Sequence, residues 1–291
     1  MPIYDFDTPE PILAGVGLDL GQVRIAAADR AGTTVVDVRP SDHNDQCDVA
    51  TATLARVSYA AGELLVSVPK AQGLPGSGAV IVDIKVPGGS RVRAAALAAD
   101  FHSAGRLGEC SITTGCGHIR LGHTGPLYLS SVLGNVTVER AVGDVEAVAG
   151  SGDVSIREID GAAEINRTTG NTRIGEVTGD VRVYADSGDL DIGRAHAGIE
   201  ARSAQGDIRI EETVRGPVVL ETASGMLDIA IAQGIGAVLD LDAHVGTVYR
   251  SLDLLDGAVV ACEAEKSVRV HAHTIIGDIV VRRASLDPDV G

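Results

Sequence analysis

The chain is short of aromatic residues. Its 291 residues include two phenylalanines, five tyrosines and no tryptophan, and aromatic side chains make up 2% of the composition. Large aromatic rings dominate many protein cores. Their scarcity predicts a narrow interior that is filled by stacked aliphatic side chains.

Basic residues and long apolar runs are also scarce. The chain has 24 Lys and Arg against 40 Asp and Glu, for a formal net charge of −16. Nucleic acids and anionic membrane surfaces are bound through basic patches, so we expect no nucleic-acid partner. No stretch of eighteen apolar residues occurs, and we therefore expect no direct insertion into a membrane.

A secretory signal pattern is absent from Met1 to Leu20, which carry four acidic residues and neither a basic nor an apolar signal region. This predicts a cytoplasmic location. The four cysteines are scattered along the chain, and free thiols are expected. They are Cys47, Cys110, Cys116 and Cys262.

Glycine, in contrast, is abundant and periodic. Eight glycines follow one another at intervals of nine residues: Gly125, Gly134, Gly143, Gly152, Gly161, Gly170, Gly179 and Gly188. Apolar residues stand two and four positions after many of them, as Val154 and Ile156 do after Gly152. Alternation with period two predicts a strand with one buried face, and a fixed period is typical of a repeat architecture.

The true repeat has eighteen residues, because the units at Gly152, Gly170 and Gly188 follow a run of small polar residues that ends at Ser151, Thr169 and Ser187, and the units at Gly143, Gly161 and Gly179 do not. The predicted fold is all-β: a right-handed parallel β-solenoid with two strands per coil and an irregular N-terminal β cap. Outward residues should then oppose each other in ladders. One predicted ladder alternates in sign; it consists of Arg173, Asp191, Arg209 and Asp228.

Three regions are predicted: a cap over residues 1–104, a regular solenoid over 105–236, and looser strands with a tail over 237–291. Within the cap we predict a short helix over Val49–Arg56, a hairpin over Arg56–Val68 and a loop over Ala71–Gly78. The tail from Ser285 is expected to be mobile.

A row of turn residues is the main candidate site. With eighteen-residue spacing, these side chains would stack along one edge: Asn135, Asp153, Asn171, Asp189 and Asp207. Stacked carboxylates could bind a cation. Each unit offers few ligands, however, so a ladder of side-chain hydrogen bonds is the favoured interpretation, and no metal or other cofactor is predicted.

Histidine and cysteine form a second candidate set, comprising Cys110, Cys116, His118, His123, His271 and His273. The Cys-x5-Cys spacing is not that of a zinc site, which favours surface or core roles. No Gly-x-Ser-x-Gly elbow is present, and minimal turns leave little wall for a pocket. No catalytic residue is therefore predicted, and the chain is expected not to be an enzyme.

Three features together resemble a known bacterial family. They are the Ser-Gly-Asp-Val-x-Ile repeat, the Val-Asp-Ile-Lys-Val-Pro-Gly-Gly-Ser segment from Val82, and the strand Gly21-Gln-Val-Arg-Ile. Over residues 12–283 the chain is similar to the β-strand-repeat family of domain of unknown function 4097. That family is often labelled "putative adhesin" and is related to toastrack domains; the style resembles its cytosolic actinobacterial members. The resemblance implies a fold and no catalytic residues.

The leading functional hypothesis is a non-enzymatic scaffold or protein-interaction surface with an unidentified protein partner. A self-assembling structural protein, similar to bactofilins and forming homo-oligomers, is the first alternative. An adhesin-like surface protein and a carbohydrate-active enzyme remain open, the latter requiring two carboxylates about 5 to 10 Å apart in a cleft.

Overall fold

A computed structural model describes residues 3–28, 32–69, 78–252 and 267–285. The predicted loop over Ala71–Gly78 lies outside the described residues except for Gly78, and so does the tail beyond Ser285. The chain forms two compact units, Met1–Gly152 (unit 1) and Asp153–Gly291 (unit 2). Nearly all described secondary structure is β, as the repeat predicted.

Unit 1 contains twelve strands and one helix in its described residues. In chain order they are β1 (Ile3–Asp7), β2 (Leu13–Ala28), β3 (Thr33–Pro40), α1 (Gln46–Thr53), β4 (Arg56–Ala60), β5 (Glu63–Val68), β6 (Ala79–Pro87), β7 (Arg91–Ala104), β8 (Cys110–Cys116), β9 (Ile119–Thr124), β10 (Leu127–Leu133), β11 (Val136–Val142) and β12 (Val145–Ser151).

Two long strands begin the solenoid in unit 1. β2 and β7 pair in parallel from Leu13 opposite Arg91 to Ala26 opposite Ala104, so each spans both faces of one coil. The first half of β7 then pairs with β8 and its second half with β9. Parallel pairing continues from β8 to β10 to β12 and from β9 to β11.

The side of β2 that faces away from β7 is covered by shorter strands in mixed orientations. This confirms an irregular β section at the N-terminal end. β5 and β6 extend β2 in parallel, and β4 and β3 pair antiparallel with them. β4 and β5 form the hairpin predicted around Gly62. The helix begins at Gln46, three residues before its predicted start, because the Asp45 side chain accepts from the backbone N–H groups of Cys47 and Asp48 and caps it.

Unit 2 contains thirteen strands in its described residues. They are β13 (Val154–Asp160), β14 (Ala163–Thr169), β15 (Thr172–Val177), β16 (Val181–Ser187), β17 (Leu190–Ala195), β18 (Ile199–Gln205), β19 (Ile208–Thr213), β20 (Gly216–Ser224), β21 (Leu227–Ile231), β22 (Gly236–Val245), β23 (Val248–Ser251), β24 (Ser267–Ile276) and β25 (Ile279–Arg283).

Strands two apart in the chain pair in parallel from β13 to β21, with a register shift of eighteen residues up to β19, as in Thr172 opposite Leu190, and of nineteen from β18 to β20 and from β19 to β21. We name strands by their place in the repeat. B strands are the strands in register with β13, which follows the turn at Gly152-Asp153: β9, β11, β13, β15, β17, β19, β21, β23 and β25. A strands are the strands that alternate with them along the chain: β8, β10, β12, β14, β16, β18, β20, β22 and β24.

The last coils of unit 2 are out of chain order. β24 lies between β20 and β22, and β25 lies between β21 and β23. The coil made by β22 and β23 is therefore the terminal one among the described residues. Its inward side chains, such as Leu239 and Leu241, are only half-buried, whereas Val268 and Val270 of β24 are fully buried.

The core of each coil is a thin aliphatic layer. Ile156, Ile174, Ile192 and Ile210 follow one another at eighteen-residue spacing and are all fully buried. Small inward residues such as Ala163, Thr172 and Ala201 are buried as well. The narrow interior predicted from the lack of aromatics is thus confirmed for the inward side chains of both the A and the B strands.

Glycine at the turns is required by both conformation and space. Gly188 has φ +116°, and a Cβ there would lie 1.7 Å from the carbonyl oxygen of Gly170 in the preceding coil. Such φ values are favourable only for glycine. Stacked turns of this kind therefore explain why Gly134, Gly152, Gly170 and Gly188, which all have positive φ, recur every eighteen residues.

Candidate functional site

The predicted row of turn residues forms a hydrogen-bonded ladder in unit 2. The backbone N–H of Asn171 donates to Oδ1 of Asp153 at 2.8 Å, and that of Asp189 to Oδ1 of Asn171 at 3.0 Å. The backbone N–H groups of Asp207 and Met226 continue the series, at 3.0 Å to Asp189 and 2.7 Å to Asp207. Each side chain thus satisfies a turn N–H of the next coil.

The corresponding turns of unit 1 form a shorter ladder. The backbone N–H of His118 donates to Oδ1 of Asp100 at 2.7 Å, and that of Asn135 to Nδ1 of His118 at 3.2 Å. His118, predicted only as a surface or core residue, is a ladder member. The hydrogen-bond ladder favoured from the sequence is the arrangement that the structure has.

An arginine that the sequence analysis missed lies beside the ladder in unit 2. Arg167 is 6% exposed, and its Nη2 donates to the backbone oxygen of Asp189 at 3.5 Å. Its Nε and Nη1 have no hydrogen-bond partner within the described part of the chain. Burial lowers the pKa of Arg167, while the carboxylates of Asp153 and Asp189 act in the opposite direction. A cation of the protein itself therefore already faces these carboxylates.

The histidines and cysteines of the second set are spread over the molecule. Cys110 is buried, which raises the pKa of its thiol to about 12, whereas Cys116 is exposed at the other end of β8. Cys47 is a third free thiol, and Cys262 lies outside the described residues. The described ranges contain no group of three or more His, Cys, Asp or Glu side chains placed to share a metal ion.

Two of the predicted histidines share one face of β24, and each faces an aspartate of the terminal coil. His271 Nδ1 lies 3.0 Å from Oδ2 of Asp240, and His273 Nδ1 lies 3.1 Å from Oδ2 of Asp242. Each pair joins the adjacent strands β24 and β22. Each consists of one histidine and one aspartate, so neither pair by itself provides the ligand set of a metal site.

The outward face of the B strands in unit 2 is covered by ion pairs, as the predicted ladder of alternating charge requires. Arg173 lies opposite Asp191, and Arg209 opposite both Asp191 and Asp228. Arg173 Nη2 is 3.4 Å from Asp191 Oδ2, and Arg209 Nε is 3.9 Å from Asp228 Oδ2. Asp228 also accepts from Arg282 at 2.9 Å.

A shallow groove lies on the same face of unit 2, with a volume of about 450 Å³. Its acidic side chains are all paired: Glu212 with Arg194, Glu211 with Arg209 at 3.6 Å, and Glu176 with His196 at 2.7 Å. Each of these carboxylates is thus engaged by a basic side chain of the protein itself, whereas a glycosidase needs two carboxyl groups that are available to its substrate.

Five large apolar side chains are exposed at outward positions of β7, β10 and β12 in unit 1: Leu97, Tyr128, Val132, Leu133 and Val148. We call this set the apolar patch. At the columns of the four that lie on A strands, β14 of unit 2 has the polar residues Glu164, Asn166, Thr168 and Thr169, whereas β22 and β24 again expose Val238, Val245, Ile275 and Ile276. Exposed apolar surface is typical of interaction sites.

These features define a class of protein: a β-solenoid of short coils with hydrogen-bonded turns, an aliphatic core and outer faces that carry charged or apolar side chains. The chain belongs to the Toastrack DUF4097 family, a domain of unknown function, whose model matches residues 23–282. No functionally curated protein matches the chain. In the described residues, no helix has the length and apolar character needed to cross a membrane.

Solved structures similar to the chain come from several bacteria. A "putative adhesin" of Parabacteroides merdae is 16% identical, with 78% of this chain and 95% of that chain covered and a TM-score of 0.47. One of Bacteroides fragilis is 13% identical, with 96% of each chain covered and a TM-score of 0.37. A "putative lipid binding protein" of Parabacteroides distasonis is 12% identical, with 95% and 96% covered and a TM-score of 0.31.

Proposed function

We propose that the chain is a non-enzymatic protein-interaction module of the cytoplasm, with the apolar patch of unit 1 as its contact surface. The observation that carries the proposal is the exposure of that patch in the middle of regular coils. Leu97 is 66% exposed and Val132 is 59% exposed. The outer face of a strand normally carries polar residues when it meets water.

The layout of the patch favours a protein partner. Val132 and Leu133 stand together at the end of β10, and the outward column that contains Val148 also contains Thr113 and Ser130. An apolar centre beside small polar groups is typical of protein interfaces. The stiffness of stacked coils reduces the conformational entropy that binding would cost.

The absence of an enzyme activity is part of this proposal. It is supported by the ion pairs that hold the carboxylates of the unit 2 groove and by the shallow outer surface that short turns produce. Adhesin-like display at a cell surface is the alternative location. Fractionation of the native cells into cytosol, membrane and exterior would decide between the two.

The proposal is tested by photo-crosslinking in the native cell. A photoreactive amino acid is placed at Val132 and, as the matched control, at Thr168, which occupies the same column two repeats later. We expect discrete protein adducts from position 132 and none from 168. Adducts from both positions in equal amount, or from neither, would reject the patch as the contact surface.

Self-assembly is a second candidate, and the terminal coil of unit 2 favours it. Within the described residues, β22 has β24 as its strand partner and β23 has β25. An edge of this kind presents backbone groups that can pair with another chain. Light scattering across a concentration series tests it: mass that grows with concentration supports assembly, and a constant mass argues against it.

A further inference from the structure

A groove in unit 1 originates from a glycine of the repeat. Gly122 is the fourth residue of β9, where the sequence reads Ile-Arg-Leu-Gly-His-Thr. It faces outward without a side chain, and its backbone N–H donates to Oγ of buried Ser103 at 3.3 Å. The result is a notch of about 740 Å³ between β7, β9 and β11. Pockets of this size accommodate small organic ligands.

Basic side chains line this groove although the protein is strongly acidic. They are His102, Arg106, Arg120 and His123, all exposed, and Glu139 is the carboxylate among the lining residues. Glu139 Oε2 lies 4.0 Å from His123 Nε2. His102 and Arg120 are register neighbours on adjacent parallel strands, about 4.8 Å apart.

Arg120 is the central cation of the set. On its other side it faces the neutral Thr137. Among the described residues, no side-chain hydrogen bond or ion pair engages Arg120 or His102. At the corresponding column of unit 2, Arg173 lies 3.4 Å from Asp191. An exposed guanidinium without a carboxylate partner is a favourable position for a bound anion.

The geometry points to a binding site for a phosphate-bearing small molecule in this groove. Arg120 supplies a positive charge and N–H donors, and the neighbouring His102 ring supplies a further N–H donor, which together suit a phosphate group. Arginine binds phosphate oxygens through paired N–H donors, which adds directional specificity to charge. The groove is larger than a phosphate ion, so it has room for the remainder of such a molecule.

The test uses the full-length protein and two anions, inorganic phosphate and pyrophosphate, at constant ionic strength maintained with chloride. Titration calorimetry should show saturable binding. Arg120→Gln should weaken it by about tenfold or more, since hydrogen bonds to charged groups contribute that much. His102→Gln should weaken it less. The matched control is Arg173→Gln, at the same column in unit 2, which should leave the affinity unchanged.

Each other outcome would overturn the proposal. Heat that does not saturate indicates only non-specific ion association. Equal weakening by Arg120→Gln and Arg173→Gln shows that net charge, and not this groove, controls binding. Malonate that binds as tightly as pyrophosphate removes the assignment to phosphate. Circular dichroism of each variant separates loss of binding from loss of fold, because Arg120 is exposed and its replacement should not unfold the chain.

Discussion

The grooves of the two units have a similar backbone arrangement, but the charged side chains that line them differ. Each contains the outward glycine of a B strand, Gly122 in unit 1 and Gly175 and Gly193 in unit 2. In unit 2 the arginines are matched by carboxylates, whereas in unit 1 arginines and histidines outnumber the one glutamate. The repeat thus fixes the shape of the surface, and the variable outward residues give each unit its own chemistry.

The largest predicted effect concerns what the units share. Gly134→Ala in unit 1 and Gly188→Ala in unit 2 should each lower the free energy of unfolding by about 3 kcal/mol or more. A Cβ would lie 2.0 Å from the oxygen of Gly117 in the first case and 1.7 Å from that of Gly170 in the second. Gly17→Ala, with open space around it, is the control. Urea unfolding measures the free energy of unfolding of all three variants. A small effect of the substitution in one unit alone would contradict the claim that the units share this turn.

Arg167 distinguishes the interior of unit 2. At this inward column unit 1 has the small residues Ser131 and Ala149. Because two guanidinium nitrogens of Arg167 are buried without partners, Arg167→Met should raise the free energy of unfolding by about 1 kcal/mol. Thermal unfolding at neutral pH measures the change. A loss of stability would show that the attraction to Asp153 and Asp189 outweighs the cost of burial.

Cys110 gives unit 1 a dependence on alkaline pH. The thiol ionises from about pH 9 in the unfolded chain but only near pH 12 in the folded one. Ionisation therefore favours unfolding across this window, and stability is complete below it and falls as pH rises. From pH 8 to 10 the native protein should lose about 1 kcal/mol relative to Cys110→Val, which copies the residue at Val145. Parallel pH profiles of the two proteins would refute this.

The turn ladder predicts a pair of unequal substitutions in unit 2. Asp189→Ala removes the acceptor for the backbone N–H of Asp207 and should cost about 1 kcal/mol. Asp189→Asn keeps an oxygen at the same place, as Asn171 does naturally, and should cost little. If both variants lose the same stability, charge and not hydrogen bonding is the contribution of the ladder. Chemical denaturation of the two variants, measured side by side, decides this.

The smallest effect on stability belongs to the groove of unit 2. Glu212→Gln removes the ion pair between Glu212 and Arg194 and should change the free energy of unfolding by less than about 1 kcal/mol. The same variant should increase the affinity of this groove for pyrophosphate, because its charge then approaches that of unit 1. Calorimetry would show a second, weaker binding event. No gain would mean that groove shape, in addition to charge, differs between the units.

Much of this fold follows from the sequence because the period encodes it. Glycine spacing and the alternation of Val154 and Ile156 define strands and turns, and Asp189 and Asn171 define the ladder. The position of β24 between β20 and β22 could not be predicted, since all coils present similar edges and the period does not specify which edge pairs.

Two features were not predicted from the sequence: the buried Arg167 and the groove of unit 1. Both depend on residues that differ from the repeat pattern. Arg167 has the inward parity of Ala163 and Ile165, and that signal was available in the sequence. The unit 1 groove was harder to find, because His102, Arg120 and His123 come from two strands that only the register brings together. Of these residues, His123 was a candidate only as a metal ligand, because of its sequence distance from Cys116 and His118.

The stoichiometry of phosphate binding tests the comparison of the two units most directly. Equilibrium dialysis of the native chain against radiolabelled pyrophosphate, at constant ionic strength, counts the sites without any variant. The account predicts one site per chain, in the groove of unit 1, with the groove of unit 2 neutralised by its own ion pairs. Two equivalent sites, or none, would contradict it.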